Sequence, residues 1–171
     1  MDYLNTNFNL DGSYMKQLII ISLAALLTVQ CGGAKNVKSA DMGGVDAIIA
    51  QLNKQLASGS LKNFPKREHE IDAPSANKWA KATAPLVKDA LDKLPPGYAI
   101  QVTGHTDPKG GYEYNMALSD RRAKFIHGIL KKEGVTSKNL TYKGVGYSQM
   151  ENTKDKFSGQ NRSVTFRVVE S

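Results

Sequence analysis

The sequence predicts an α/β chain of the α+β kind, with helices packed on one face of a small mixed sheet. Three observations carry that expectation. "YAIQVTGH", "NLTYKGVG" and "RSVTFRVVE" alternate apolar and polar residues as half-buried strands do, whereas "KWAKATAPLVKDALDKLP" and "LSDRRAKFIHGIL" place apolar residues at helical spacing. The two periods alternate along the chain in the order strand, helix, strand, helix, strand, strand. The 171 residues accommodate one domain with extensions, since domains typically hold ~100–150 residues, and no internal repeat is present.

Residues 19–29 are almost uninterrupted apolar sequence, preceded by Met15 and Lys16 and followed by Gln30 and Cys31. A short cationic flank before ~7–15 apolar residues is the organisation of an export signal, while a membrane-spanning helix needs ~20. Residues 1–30 therefore read as a signal peptide. The stretch ahead of Met15 carries Asp2 and Asp11 and no base, which fits no targeting segment, so Met15 is the expected true start. Cys31 is the only cysteine and has no internal disulfide partner. Residues 31–44, rich in Gly, Ala, Ser and Lys, read as a flexible tether.

Val45, Ile48, Ile49, Leu52 and Leu56 recur at helical spacing with Gly59 as a stop, so residues 45–67 form an amphipathic helix and linker. The folded domain proper is 68–171. "REHEID" is its first, short strand. In the helix that follows, Trp79, Thr83, Leu86, Ala90 and Leu94 share one face, and Pro85 predicts a kink or restart because proline lacks the amide donor. Tyr98, Ile100 and Val102 mark the core face of the second strand. Asp107, Pro108, Lys109 and Gly110 suit a type I turn.

The helix "LSDRRAKFIHGIL" opens at Ser119 as a candidate N-cap. At about 100° per residue, Arg122 falls near the centre of the apolar stripe made by Leu118, Phe125, Ile126, Ile129 and Leu130. Arg121 falls at its margin. The positions three and four residues from Arg122 hold Leu118, Ser119, Phe125 and Ile126, so no acid on its own helix can pair with it. A buried guanidinium without a partner is costly, so the partner comes from elsewhere in the fold or from a ligand.

Composition bounds the function. With 23 basic against 16 acidic residues the chain carries +7, which favours polyanions. No aromatics are interleaved with a basic cluster, which argues against nucleic acid. His69, His105 and His127 lack metal-ligand spacing, and "GVGYSQ" lacks the third glycine of a dinucleotide fingerprint, so neither metal nor cofactor is expected. No nucleophile–base pair or carboxylate pair suggests an enzyme.

Gly104, His105, Thr106, Asp107, Gly110, Tyr114, Asn115, Leu118, Ser119, Arg122 and Ala123 stand at spacings that closely resemble the OmpA-like peptidoglycan-binding domain family. "KGVGYSQ" and the closing Asn161 and Arg162 extend the likeness, which covers roughly residues 68–169. Together with the lipoprotein-like start, the chain is most similar to OmpA-like lipoproteins of spirochaetes. The resemblance implies a βαβαββ-type domain in which Asp107 and Arg122 hold the diaminopimelate of the wall peptide, the acid meeting its ammonium and the base its carboxylate. It also implies hydrogen bonds from Thr106 and Asn115 and a lining role for Arg162. Asp72, as an acid after the first strand, and His105, as a holder of the loop, are weaker members of the set. Without ligand, Arg122 is expected to lean on Asp107. Ser163, Thr165 and Met150 depart from the family pattern.

Cys31 resembles the lipidated cysteine of bacterial lipoproteins, although Gln30 and Thr28 replace the usual small residue and leucine. The resemblance as a whole implies a protein held in the outer membrane by a lipid on Cys31, its domain facing the periplasm and bound to diaminopimelate-type peptidoglycan. The alternative is a surface-exposed adhesin whose basic surface meets a host ligand. Scattered lysines would make that binding fade steeply with salt, while a desolvated pocket fades less.

Overall fold

The computed structural model describes residues 39–171. The leader over 1–30, Cys31 and most of the tether therefore lie outside the described residues. Three helices and three strands follow in the order α1 (Ser39–Ala57), α2 (Ala73–Asp92), β1 (Tyr98–Gly104), α3 (Tyr112–Lys132), β2 (Leu140–Gly144) and β3 (Val164–Glu170), with one 3₁₀ turn at Gly159–Asn161. The strands form one mixed sheet in the order β2-β1-β3. β1 runs parallel to β2, with Gly104 beside Gly144, and antiparallel to β3, with Gly104 beside Val164.

One apolar cluster joins the helices to the sheet. Val87 and Ala90 of α2 and Ile126 and Leu130 of α3 are buried with Ile100, Val102, Phe166 and Val168. The alternation expected in β1 and β3 thus faces this cluster. Leu52 and Leu56 bring α1 into the same core. Asn53 of α1 also accepts the Val168 amide at 2.8 Å, which occupies a donor on the edge of β3 that would otherwise be open to pairing. Trp79 stacks on Phe166 with centroids 6.3 Å apart, and its indole N–H donates to the Gly59 carbonyl at 3.1 Å.

Several expectations are corrected. "REHEID" is not a strand; with four charges and a single isoleucine it has no apolar face to bury. The strand-like segment lies just upstream, where Leu61 and Val164 exchange both backbone hydrogen bonds at 2.9 and 2.8 Å. α1 starts at Ser39, ahead of the apolar spacing that begins at Val45. α2 runs unbroken through Pro85, which sits on its exposed side, so water can serve the carbonyl that loses its donor. Ser119 is not an N-cap. α3 begins at Tyr112, and Ser119 is fully buried in its interior, donating to the Met116 carbonyl at 2.8 Å and accepting the Gly146 amide at 2.9 Å. Gly134, at φ +79°, ends α3 as read from the sequence.

Candidate functional site

The site forms where β1 runs out toward α3. Gly104 and Gly144 lie side by side, and a Cβ on Gly104 would overlap the Ser119 carbonyl, while one on Gly144 would overlap the Asp120 amide. Two bare glycines therefore let α3 sit directly on the strand ends. That contact sets Arg122, one turn further along, beneath the loop of residues 64–68.

Arg122 is the largest fully buried side chain among the described residues. Its Nε donates to the Glu68 carbonyl at 2.9 Å, Nη1 to the His105 carbonyl at 2.8 Å and Nη2 to the Pro65 carbonyl at 3.0 Å. The guanidinium also lies 5.1 Å from the centroid of the Phe64 ring, a cation–π distance. The expected lean on Asp107 is thus corrected. Backbone carbonyls, which no side-chain spacing can reveal, carry Arg122. They use three of its five N–H groups and leave one on each Nη. Burial first, and the charge of Arg162 second, lower the Arg122 pKa to about 10, partly opposed by Asp107. Arg122 remains a cation at neutral pH.

Asp107 pairs instead with Arg162, Oδ2 to Nη1 at 3.2 Å, with both side chains largely buried. Arg162 lies in the turn before β3 rather than in the strand, and its Nε donates to the Phe64 carbonyl at 2.8 Å. The other carboxylate oxygen of Asp107 accepts the Lys109 amide at 3.2 Å, which closes the turn that the sequence predicts. Gly110 sustains that turn at φ +106°, a backbone conformation that suits glycine. Asn115 is buried, and its amide nitrogen donates to the Gly111 carbonyl at 3.1 Å and the Lys109 carbonyl at 3.4 Å, so its donors hold the loop. Thr106 is 1% exposed, and its hydroxyl has no partner.

These groups surround a cleft of about 50 Å³ lined by Thr106, Asp107, Tyr114, Asn115, Arg122 and Arg162, with Lys66, Arg67 and Lys109 at its mouth. One carboxylate faces two guanidiniums and three further cations. The surplus is positive, and an anionic group would balance it, while the single carboxylate can also take a cationic one.

Four of the five main expected residues, Thr106, Asp107, Asn115 and Arg162, therefore meet Arg122 at one cleft. Asp72 does not. It is exposed and caps α2, accepting the Ser75 amide at 2.9 Å, and that hydrogen bond lowers its pKa. The His105 side chain also turns away. Its Nε2 lies 2.9 Å from the Thr165 hydroxyl beside a groove on the other face of the sheet, and only its carbonyl serves the site. The alternation of β1 places His105 on the face opposite Ile100 and Val102. Burial lowers the His105 pKa. The sequence reading missed Lys66, Arg67 and Lys109, which come from two loops distant in the chain and follow no pattern. Among the described residues, no three His, Cys, Asp or Glu side chains converge as metal ligands.

Comparison with known proteins identifies the family of the chain. The OmpA family pattern matches residues 64–163. The chain is 30% identical over 133 residues to a peptidoglycan-associated lipoprotein of Pseudomonas aeruginosa, covering 70% of this chain and 76% of that one. It is 38% identical over 76 residues to a peptidoglycan-associated lipoprotein of Legionella pneumophila, covering 43% of each, so the chain spans under half of that relative's length. The crystal structure of the peptidoglycan-associated lipoprotein from Burkholderia pseudomallei superposes with a TM-score of 0.54 at 21% identity, covering 71% of this chain and 99% of that one, a likeness of fold.

Proposed function

Because this chain belongs to the OmpA family, whose members are binding proteins and not enzymes, we propose that it grips peptidoglycan non-covalently and ties an outer membrane to the cell wall. The observation that carries this reading is the cleft itself, where a buried acid, two guanidiniums and a threonine whose hydroxyl has no partner meet. The far end of a diaminopimelate side chain bears an ammonium and a carboxylate on one carbon. Asp107 receives the ammonium. The carboxylate goes to Arg122, through the two N–H groups not spent on carbonyls, with Arg162 alongside. Thr106 gains the partner it lacks, and Asn115 acts by holding the loop that carries Asp107.

This reading predicts selectivity. A lysine-type wall peptide lacks the terminal carboxylate, so the desolvated guanidinium would stay unbalanced. On the same reading, Cys31 bears the lipid and residues 32–38 are the tether that lets the domain reach the wall from the periplasmic side. Calorimetric titration of residues 32–171 with a diaminopimelate muropeptide and its lysine-type counterpart, at low and physiological salt, tests it. Binding of the first alone, with modest salt dependence, is the expected result. Weak binding of both that vanishes with salt would favour adhesion through the basic surface.

A further inference from the structure

We propose that Lys66, Arg67 and Lys109 form a second anion subsite, which takes the free α-carboxylate of the glutamate preceding diaminopimelate in the wall peptide. This rests on the wall-binding reading above. The cleft of about 50 Å³ has room for one charged end of a ligand and no more. Two larger hollows share lining residues with it, Lys109 among them. One, of about 350 Å³, is lined by Arg67, Lys109, Gly110 and Tyr114; the other, of about 480 Å³, by Lys66, Asp107, Pro108, Lys109 and Phe157. A ligand whose end fills the cleft and whose remainder lies in these hollows would cross the three cations that line them.

The backbone that carries these cations is held in place, and their side chains are unspent. Arg122 pins their loop through the carbonyls of Pro65 and Glu68, and Arg67 sits between these at φ +65°, a left-handed conformation unusual for arginine. The Asp107 carboxylate and the Asn115 amide fix the backbone of Lys109. The ion pairs and side-chain hydrogen bonds of the described residues use none of the three side chains. Thr106 also lines the cleft, and its buried hydroxyl has no partner.

The wall peptide supplies the matching charge. Its glutamate is joined to diaminopimelate through the side-chain carboxyl, so the α-carboxylate is free one residue back from the gripped end. Converting that group to a primary amide removes the charge and keeps the shape.

The test titrates the protein with two stem tetrapeptides that differ only in a free or amidated glutamate α-carboxyl, alongside the Lys66→Gln, Arg67→Gln, Lys109→Gln triple variant. Because exposed ion pairs are weak, amidation should lower wild-type affinity only roughly three- to fivefold, and increasingly less as salt rises. The variant should bind both peptides at the amide's level. Equal wild-type affinity for the two peptides, or a variant that keeps the preference, would overturn the subsite and leave the wall-binding reading standing. No binding of either peptide would overturn both.

Discussion

The floor and the mouth of the cleft are both cationic, yet their charges are built differently. On the floor, Arg122 is 0% exposed and spends three donors on carbonyls, and Asp107 and Arg162 are paired with little exposure. At the mouth, Lys66, Arg67 and Lys109 stand in solvent. Desolvated charges must be satisfied before a ligand arrives, so they are immobile and hold the loops as well as the ligand. Exposed charges carry no such demand, add little individually and are screened by salt. On the proposed wall-binding reading, selectivity belongs to the floor, and reach and salt dependence to the mouth.

Replacing Arg122 by Met tests that division most severely. It leaves the carbonyls of Pro65, Glu68 and His105 without their donor, so the fold should lose about 3–5 kcal/mol in urea unfolding, and wall-peptide binding should vanish. A stability loss under about 1 kcal/mol would mean that the floor is not built around this side chain. The mouth variants described above should leave the unfolding midpoint within experimental scatter.

Thr106→Val separates the two roles within the floor. Its hydroxyl is buried and unpartnered, so removing it should raise stability by about 1 kcal/mol while weakening the wall peptide. Lower stability together with unchanged affinity would show that the hydroxyl serves the fold instead.

The smallest effect is expected from pH. Burial lowers the pKa of His105, and of His127 on α3, below the ordinary 6.5, so the unfolded chain takes up protons more readily than the folded one. Stability should be full above that value and fall as pH drops through it. His105 also lends its carbonyl to Arg122, so local opening around its protonated ring should disturb the floor before the mouth. Unfolding curves from pH 7.5 to 5 that shift only through carboxylate protonation, and not in His105→Gln relative to wild type, would remove His105 from this account.

Much of the fold was legible because burial imposes a period. Ile100, Val102, Phe166 and Val168 alternate, and Ala123, Ile126 and Leu130 recur along a helix, because each set faces one cluster. The first strand was misplaced because Leu61 contributes a single bridge, too short to show alternation. Ser119 looked like a cap because a serine ahead of an apolar run is the same signal whether a helix starts there or continues through it.

Sequence alone determined the family, the alternation of strands and helices, and the oddity of an arginine in an apolar stripe, since each is written in residue types at fixed spacing. Tertiary structure alone decided what surrounds that arginine. The carbonyls of Pro65, Glu68 and His105 are the same chemical group in every residue and leave no trace in composition. It also decided that Asp107 turns to Arg162, and that three lysine and arginine side chains from two loops share one mouth. Such pairings depend on distances across the fold, which a linear pattern does not encode.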